Sequence, residues 1–191
     1  MKKNIFAKSL MVIGALLVAG SILLLCYNNY SDKKAGEKSQ EVIAPLLELV
    51  DEDKNSWNGK ELTEKEVDGN MYVGFVSIPK LGLQLPVLSH WETKTSRIAP
   101  SRCAGNAQTN DLVLAAHSYR YHFGFIGKLE PKDSIIFKDM DGREYFYEVK
   151  SVEYVYPTQK QEVMNSGYDL TLYTCTYSAT KRIVVFCDKI K

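Results

Sequence analysis

The chain predicts an all-β domain, a closed or nearly closed barrel of seven to eight short strands with short helices, behind one apolar N-terminal helix. Three observations carry this. An uncharged run from Ser9 through Tyr27 stands near the start of the sequence. From Tyr72 onward, short alternating or wholly apolar stretches rich in Val, Ile, Leu, Tyr and Phe succeed one another, separated by Gly, Pro and Asp-Gly breaks. Many short strands with turn signals between them point to a barrel. Helical patterning in that part is confined to two short stretches, 124–128 and 160–166. The 191 residues allow one ordinary domain with extras, and a net charge of +1 removes the basic excess of a nucleic-acid binder and the acidic excess of a disordered chain.

Residues 1–8 carry Lys2, Lys3 and Lys8, and the uncharged run 9–27 is just long enough to cross a hydrocarbon core as a helix. Leu23-Leu24-Leu25-Cys26-Tyr27 offers no small-residue cleavage site, so the run reads as an uncleaved anchor with its lysine-flanked end in the cytoplasm. Residues 28–191 then lie outside the membrane. Residues 28–69 are rich in Lys, Glu, Asp, Ser and Asn and suit a solvent-exposed linker. Within them Glu41–Val50 has a helical look, with Pro45 tolerable only near a helix start. This juxtamembrane helix reads either as packing on the domain or another copy, or as a lid.

Residues 70–191 hold the strands. Val73–Pro79 alternates, and Leu81–Leu88 comes after a Pro-Lys break. Leu112–Ala116 is short and wholly apolar, as in a strand buried on both faces. Ser134–Phe137, an Asp141-Gly142 turn and Glu144–Val149 form a hairpin, and Val152–Tyr156 continues the pattern. Leu170–Cys175 and the stretch from Lys181 to Val185 read as the last two strands.

These last two strands carry the chemistry. Paired as an antiparallel hairpin, they make Cys175 and Arg182 cross-strand neighbours, and a guanidinium beside a thiol favours the nucleophilic thiolate. Of the other cysteines, Cys26 lies in the apolar run, while Cys103 in a loop and Cys187 on the opposite strand face from Arg182 read as structural. A Cys103–Cys187 disulfide stays open at this level. No Cys/His spacing suggests a zinc site, and nothing implies a metal or cofactor. A cysteine nucleophile needs a proton donor and acceptor, and there are three histidines. His117 directly succeeds the apolar strand 112–116, where a rigid element hands off to a loop, so catalytic and structural readings both stand. His122, in an aromatic run, and His90, in a polar loop, read as structural.

The segment Thr171-Leu172-Tyr173-Thr174-Cys175 resembles the Thr-Leu-x-Thr-Cys signature of sortases, the cysteine transpeptidases of Gram-positive cell surfaces. Ala116-His117 resembles their small residue and catalytic His, and Arg182 opens the next strand where they have Arg. Ser77-Ile78-Pro79-Lys80-Leu81 resembles their first-strand motif, and Tyr156-Pro157 the segment after the sixth strand. The resemblance covers about residues 70–191. An Asp-Pro-aromatic lid motif, a long insertion between 155 and 170, and an acidic cluster in 91–110 are lacking, so the likeness is to class A, D or E rather than B or C.

The resemblance implies a sortase-type barrel and a membrane-anchored enzyme acting on surface proteins with a C-terminal Leu-Pro-x-Thr-Gly-like sorting signal. Cys175 would attack the Thr carbonyl, His117 would serve as acid and base, and Arg182 would stabilise the oxyanion, with help from the Thr176 N–H. Ala116, Thr174, Thr176, Val155 and Tyr156 would flank the bound signal, and the acceptor would be a peptidoglycan-precursor or other amine. Other classes keep a place: a cell-surface cysteine hydrolase, which normally sets Cys before His in the chain; a pilin-polymerising sortase; and a non-enzymatic adhesin, which needs no reactive thiol.

Overall fold

A computed structural model describes residues 2–50 and 61–190, side chains being described from residue 7 onward. The chain divides into two compact units, 1–34 and 35–191. Both draw on one α-helix, α1 (Lys2–Glu48). In the first unit α1 is apolar on all sides from Leu10 to Leu25, long and apolar enough to cross a membrane.

In the second unit α1 changes character. Ala35, Ser39, Val42 and Leu46 recur at helical spacing and are buried, and Val42 and Leu46 pack with Val67, Tyr72, Phe75, Leu88, Ala99 and Met140. At Gly36 the helix meets Tyr121 so closely that a Cβ would lie 2.8 Å from the ring, so only glycine fits without displacing it. Pro45 therefore stands in the last turn of a long helix rather than near the start of a short one. Its missing N–H leaves only the carbonyl of Glu41 without a donor, and both residues are exposed to solvent. The helical stretch reads from sequence as 41–50; burial of the 35–46 stripe is what carries the helix unbroken to Glu48.

Among the described residues nine strands come after it: β1 (Lys65–Val67), β2 (Asn70–Ile78), β3 (Leu83–Leu88), β4 (Ser101–Ala104), β5 (Leu112–Ala115), β6 (Ser134–Asp139), β7 (Glu144–Val155), β8 (Leu170–Cys175) and β9 (Arg182–Lys189). Eight of them close a barrel in the order β2-β3-β4-β5-β8-β9-β7-β6, with β6 pairing back onto β2. The closing pair is tight: a Cβ on Gly74, at φ +152°, would lie 2.1 Å from the Lys138 carbonyl. The short β1 is an added hairpin on β2, turned by Asp68 and Gly69, both at positive φ as a two-residue I′ turn requires. Closure removes the open edges that strands otherwise expose.

All neighbours are antiparallel except β3–β4 and β5–β8. Val73, Val76, Leu85, Val87, Leu112, Leu114, Phe137, Tyr147, Leu170, Leu172 and Val185 fill the interior. The stretches 144–149 and 152–156 merge into the single strand β7, which keeps pairing with β9 across a bulge between Val149 and Ser151. A five-residue helix, α2 (Lys160–Met164), and short 3₁₀ turns at Pro79–Leu81, Thr95–Arg97, Ile126–Lys128 and Pro157–Gln159 complete the domain.

Candidate active site

The parallel pairing of β5 and β8 sets the site. Ala115 stands opposite Tyr173, and the Ala116 N–H donates to the Tyr173 carbonyl at 3.1 Å, which carries the ladder one residue further. Two residues beyond the Ala115–Tyr173 pair, the chain reaches His117 on one side and Cys175 on the other. Thr174 locks this end: its buried hydroxyl donates to the Ala116 carbonyl at 2.8 Å. On the other side of β8, the antiparallel register pairs Cys175 directly with Arg182 of β9. The three residues named from sequence therefore meet at one end of the barrel, all half-buried.

They line a groove of about 730 Å³ with Ala116, Thr174, Tyr173, Ala115, His90 and Trp91. The His117 ring is held between Trp91 (centroids 5.3 Å apart) and Tyr119 (5.5 Å), and its Nε2 lies 3.3 Å from Ser96 Oγ. Burial, helped by the nearby Arg97 charge, moves the His117 pKa below its ordinary value, so neutral imidazole prevails at neutral pH. The Arg182 guanidinium is tethered by its own hairpin. Nε donates to the Tyr173 hydroxyl at 3.2 Å, and Nη1 to the carbonyls of Ala179 (3.0 Å) and Lys181 (3.1 Å). No polar atom of the described residues accepts from Nη2.

The Sortase domain family profile matches residues 76–190, more than half of the chain. The chain belongs to the sortase family. Over 203 residues it is 27% identical to sortase A of Bacillus anthracis, spanning 98% of this chain and 94% of that protein. Among solved structures it resembles a sortase D5 transpeptidase of Clostridium perfringens with a TM-score of 0.57 at 17% identity, covering 85% of this chain and 99% of that one. It also resembles sortase A of Listeria monocytogenes, with a TM-score of 0.55 at 23% identity, over 63% of this chain and 88% of that one. At these identities the structural likeness speaks for the fold, a closed eight-stranded barrel. Sortases are cysteine transpeptidases, and this chain is one.

The remaining residues named from sequence divide. Ala116 and Thr174 line the groove of this sortase; Thr176, Val155 and Tyr156 do not. Thr176 closes the β8–β9 hairpin, its N–H donating to the Lys181 carbonyl at 3.0 Å, so that amide is already engaged and not free for an oxyanion. Val155 packs against the Val163, Val184 and Phe186 cluster, and Tyr156 lies outside it beneath the Lys181 ammonium, 5.3 Å from its ring centroid. Cys103 and Cys187 are both free thiols, so the disulfide left open by the sequence is not formed. Cys103 belongs to β4 rather than a loop, at a bulge against β5, and it lines the groove. Burial pushes its thiol pKa up to about 11. His122 is fully buried and His90 bonds Ser89 Oγ at 2.7 Å and Glu92 Oε1 at 3.1 Å. Sequence reasoning misses Trp91, Ser96, Cys103, Lys160 and Met164 at the site. Their neighbours carry no motif, and only the fold brings β4, α2 and the 89–99 loop to the same groove.

Proposed function

We propose that this sortase cleaves a Leu-Pro-x-Thr-Gly-like sorting signal after Thr and joins the new carboxyl end to a cell-wall amine. The observation that carries this reading is the double register at the end of β8, which sets His117 on one flank of Cys175 and Arg182 on the other.

In this reading neutral His117 takes the Cys175 thiol proton, and Sγ attacks the Thr carbonyl carbon. The carbonyl π pair moves onto oxygen, where the Arg182 guanidinium, through Nη2, donates to the developing oxyanion. Collapse breaks the Thr–Gly C–N bond, and imidazolium His117 hands its proton to the departing glycine nitrogen, leaving a thioacyl-enzyme. An acceptor amine then attacks the thioester carbon and the C–S bond breaks. His117 takes the surplus proton from the amine and returns one to Cys175. Ala116 and Thr174 act as groove wall and as the lock that keeps the two strand ends together. The apolar stretch of α1 acts as a single-span anchor with the lysine-flanked terminus inside and the barrel outside the cell membrane.

The test uses the full chain in detergent micelles with a Leu-Pro-x-Thr-Gly peptide library and an oligoglycine acceptor, read by mass spectrometry. The expected product is the peptide joined to glycine through Thr, lost in Cys175→Ala and His117→Ala and much reduced in Arg182→Ala. Cleaved peptide without acceptor incorporation, even at high acceptor concentration, would instead assign a hydrolase.

A further inference from the structure

We propose that Ser96 is a positioning residue for His117: its hydroxyl accepts a hydrogen bond from His117 Nε2 and so reserves Nδ1 for the proton transfers of the reaction. This rests on the reading of His117 as acid and base.

Ser96 sits in the Thr95–Arg97 turn and is completely buried; where the buried hydroxyls of Ser39 and Ser101 meet no partner among the described residues, its own meets His117. Its backbone N–H donates to the Glu92 carbonyl at 2.9 Å, which fixes the turn and the direction of its side chain. Among the described residues, its Oγ has one hydrogen-bond partner, His117 Nε2 at 3.3 Å. Trp91 and Tyr119 stand against the imidazole at interplanar angles of 53° and 51°, so a ring flip that would exchange the two nitrogens is hindered. Among the described residues Nδ1 has no hydrogen-bond partner, and His117 lines the groove that holds Cys175.

The chemistry sets the direction of the bond. A hydroxyl can accept from Nε2–H in both the neutral and the cationic ring, whereas it can donate to Nε2 only in the neutral one. An acceptor at Nε2 keeps that hydrogen in place through the whole cycle. Nδ1 then takes the thiol proton, releases it to the leaving amine nitrogen, and takes one from the incoming amine. In the Ser-His-Asp triad the third group that orients the histidine is a carboxylate, and in papain-like cysteine enzymes an amide; here a buried serine takes the place. The other titratable and charged groups near the ring are Arg97 on the same turn and His122 beyond Tyr119, with Cys175, Arg182, Cys103, Lys160 and His90 along the groove, the last bonded to Glu92.

The test uses the full chain labelled with ¹⁵N in its histidine rings, of which there are three. Long-range ¹H–¹⁵N spectra at neutral pH should show His117 as the Nε2–H tautomer in the wild type, with the Nδ1–H form appearing in Ser96→Ala. In the peptide-transfer assay Ser96→Ala should lower kcat about tenfold, a fraction of the roughly 10²–10⁴ that a placed acid-base supplies, with KM nearly unchanged. It should also move the acid limb of the kcat profile to lower pH, because the cation loses its acceptor. Ser96→Thr keeps the hydroxyl and should restore both. A wild-type His117 protonated at Nδ1, or a Ser96→Ala variant with the wild-type tautomer and pH profile, overturns the proposal while leaving the transpeptidase reading intact. A wild type that never transfers peptide removes the reading it rests on, and with it the catalytic purpose of the contact, whatever the spectra show.

Discussion

Acid should unfold this domain through His122, and the effect can be sized. The ring is fully buried, beside the backbone of Ala35 and Ile98, with Tyr119 edge-on at 5.5 Å. Burial, with a smaller contribution from His117, holds its pKa down to about 4. In the unfolded chain a histidine titrates near about 6.5. The unfolded state therefore binds the proton first, and acidification favours it. The stability tied to neutral His122 is complete above about pH 6.5 and is lost progressively as the pH falls toward about 4. From 6.5 to about 4, at about 1.4 kcal/mol per unit, the loss approaches about 3 kcal/mol. That is a large share of the roughly 5–15 kcal/mol that holds a typical domain. His117, also shifted down, adds in the same direction. Asp133, whose carboxyl is lowered from an ordinary 3.8, works below this window. The assay is urea unfolding of the full chain in micelles, monitored by tryptophan fluorescence at intervals from pH 7 to pH 4.5. The wild-type midpoint should fall steeply over that range, and His122→Phe, which keeps an apolar ring, should flatten most of the fall. An equal pH slope in wild type and His122→Phe would refute the assignment of this acid sensitivity to His122.

Three other outcomes rest on named contacts. Thr174→Val keeps the side-chain shape but leaves the buried Ala116 carbonyl without its donor; it should cost about 1–3 kcal/mol in unfolding and slow thioacyl formation, measured by denaturation and single-turnover kinetics. Leu46→Ala empties a fully buried site beneath α1; a loss of about 2–5 kcal/mol and faster hydrogen exchange across 35–48 are expected, with β8 and β9 unaffected. Arg182→Lys keeps the charge but loses the three-point tether to Tyr173, Ala179 and Lys181. It should reduce kcat/KM by about 10²-fold or more, and near-wild-type activity would show that a point charge suffices in place of an aimed donor.

The sequence by itself determines the apolar helix, the run of short strands and the hairpin that pairs Cys175 with Arg182. Each is a local signal: an uncharged stretch, period-two alternation, and two strands close in sequence whose register a short loop controls. The family motif around Cys175 is local as well, whereas β1 and its Asp68-Gly69 turn fall in a stretch that reads from sequence as linker and become visible only in the fold. The position of His117 is of another kind. It is far from Cys175 in the chain, and only the parallel pairing of β5 with β8, closed through the Thr174–Ala116 hydrogen bond, decides that the two strands end side by side. The same holds for β4, whose Ser101-Arg102-Cys103-Ala104 has no strand-like pattern and is ordered by pairing with β5. It holds for Ser96 and Trp91, which reach His117 because barrel closure sets their loop against the end of β5. Buried stripes on α1 likewise override the local signal of Pro45. Local chemistry thus names the candidate nucleophile and its arginine, while long-range pairing, driven by burial of the barrel interior, assembles the histidine and the groove around them.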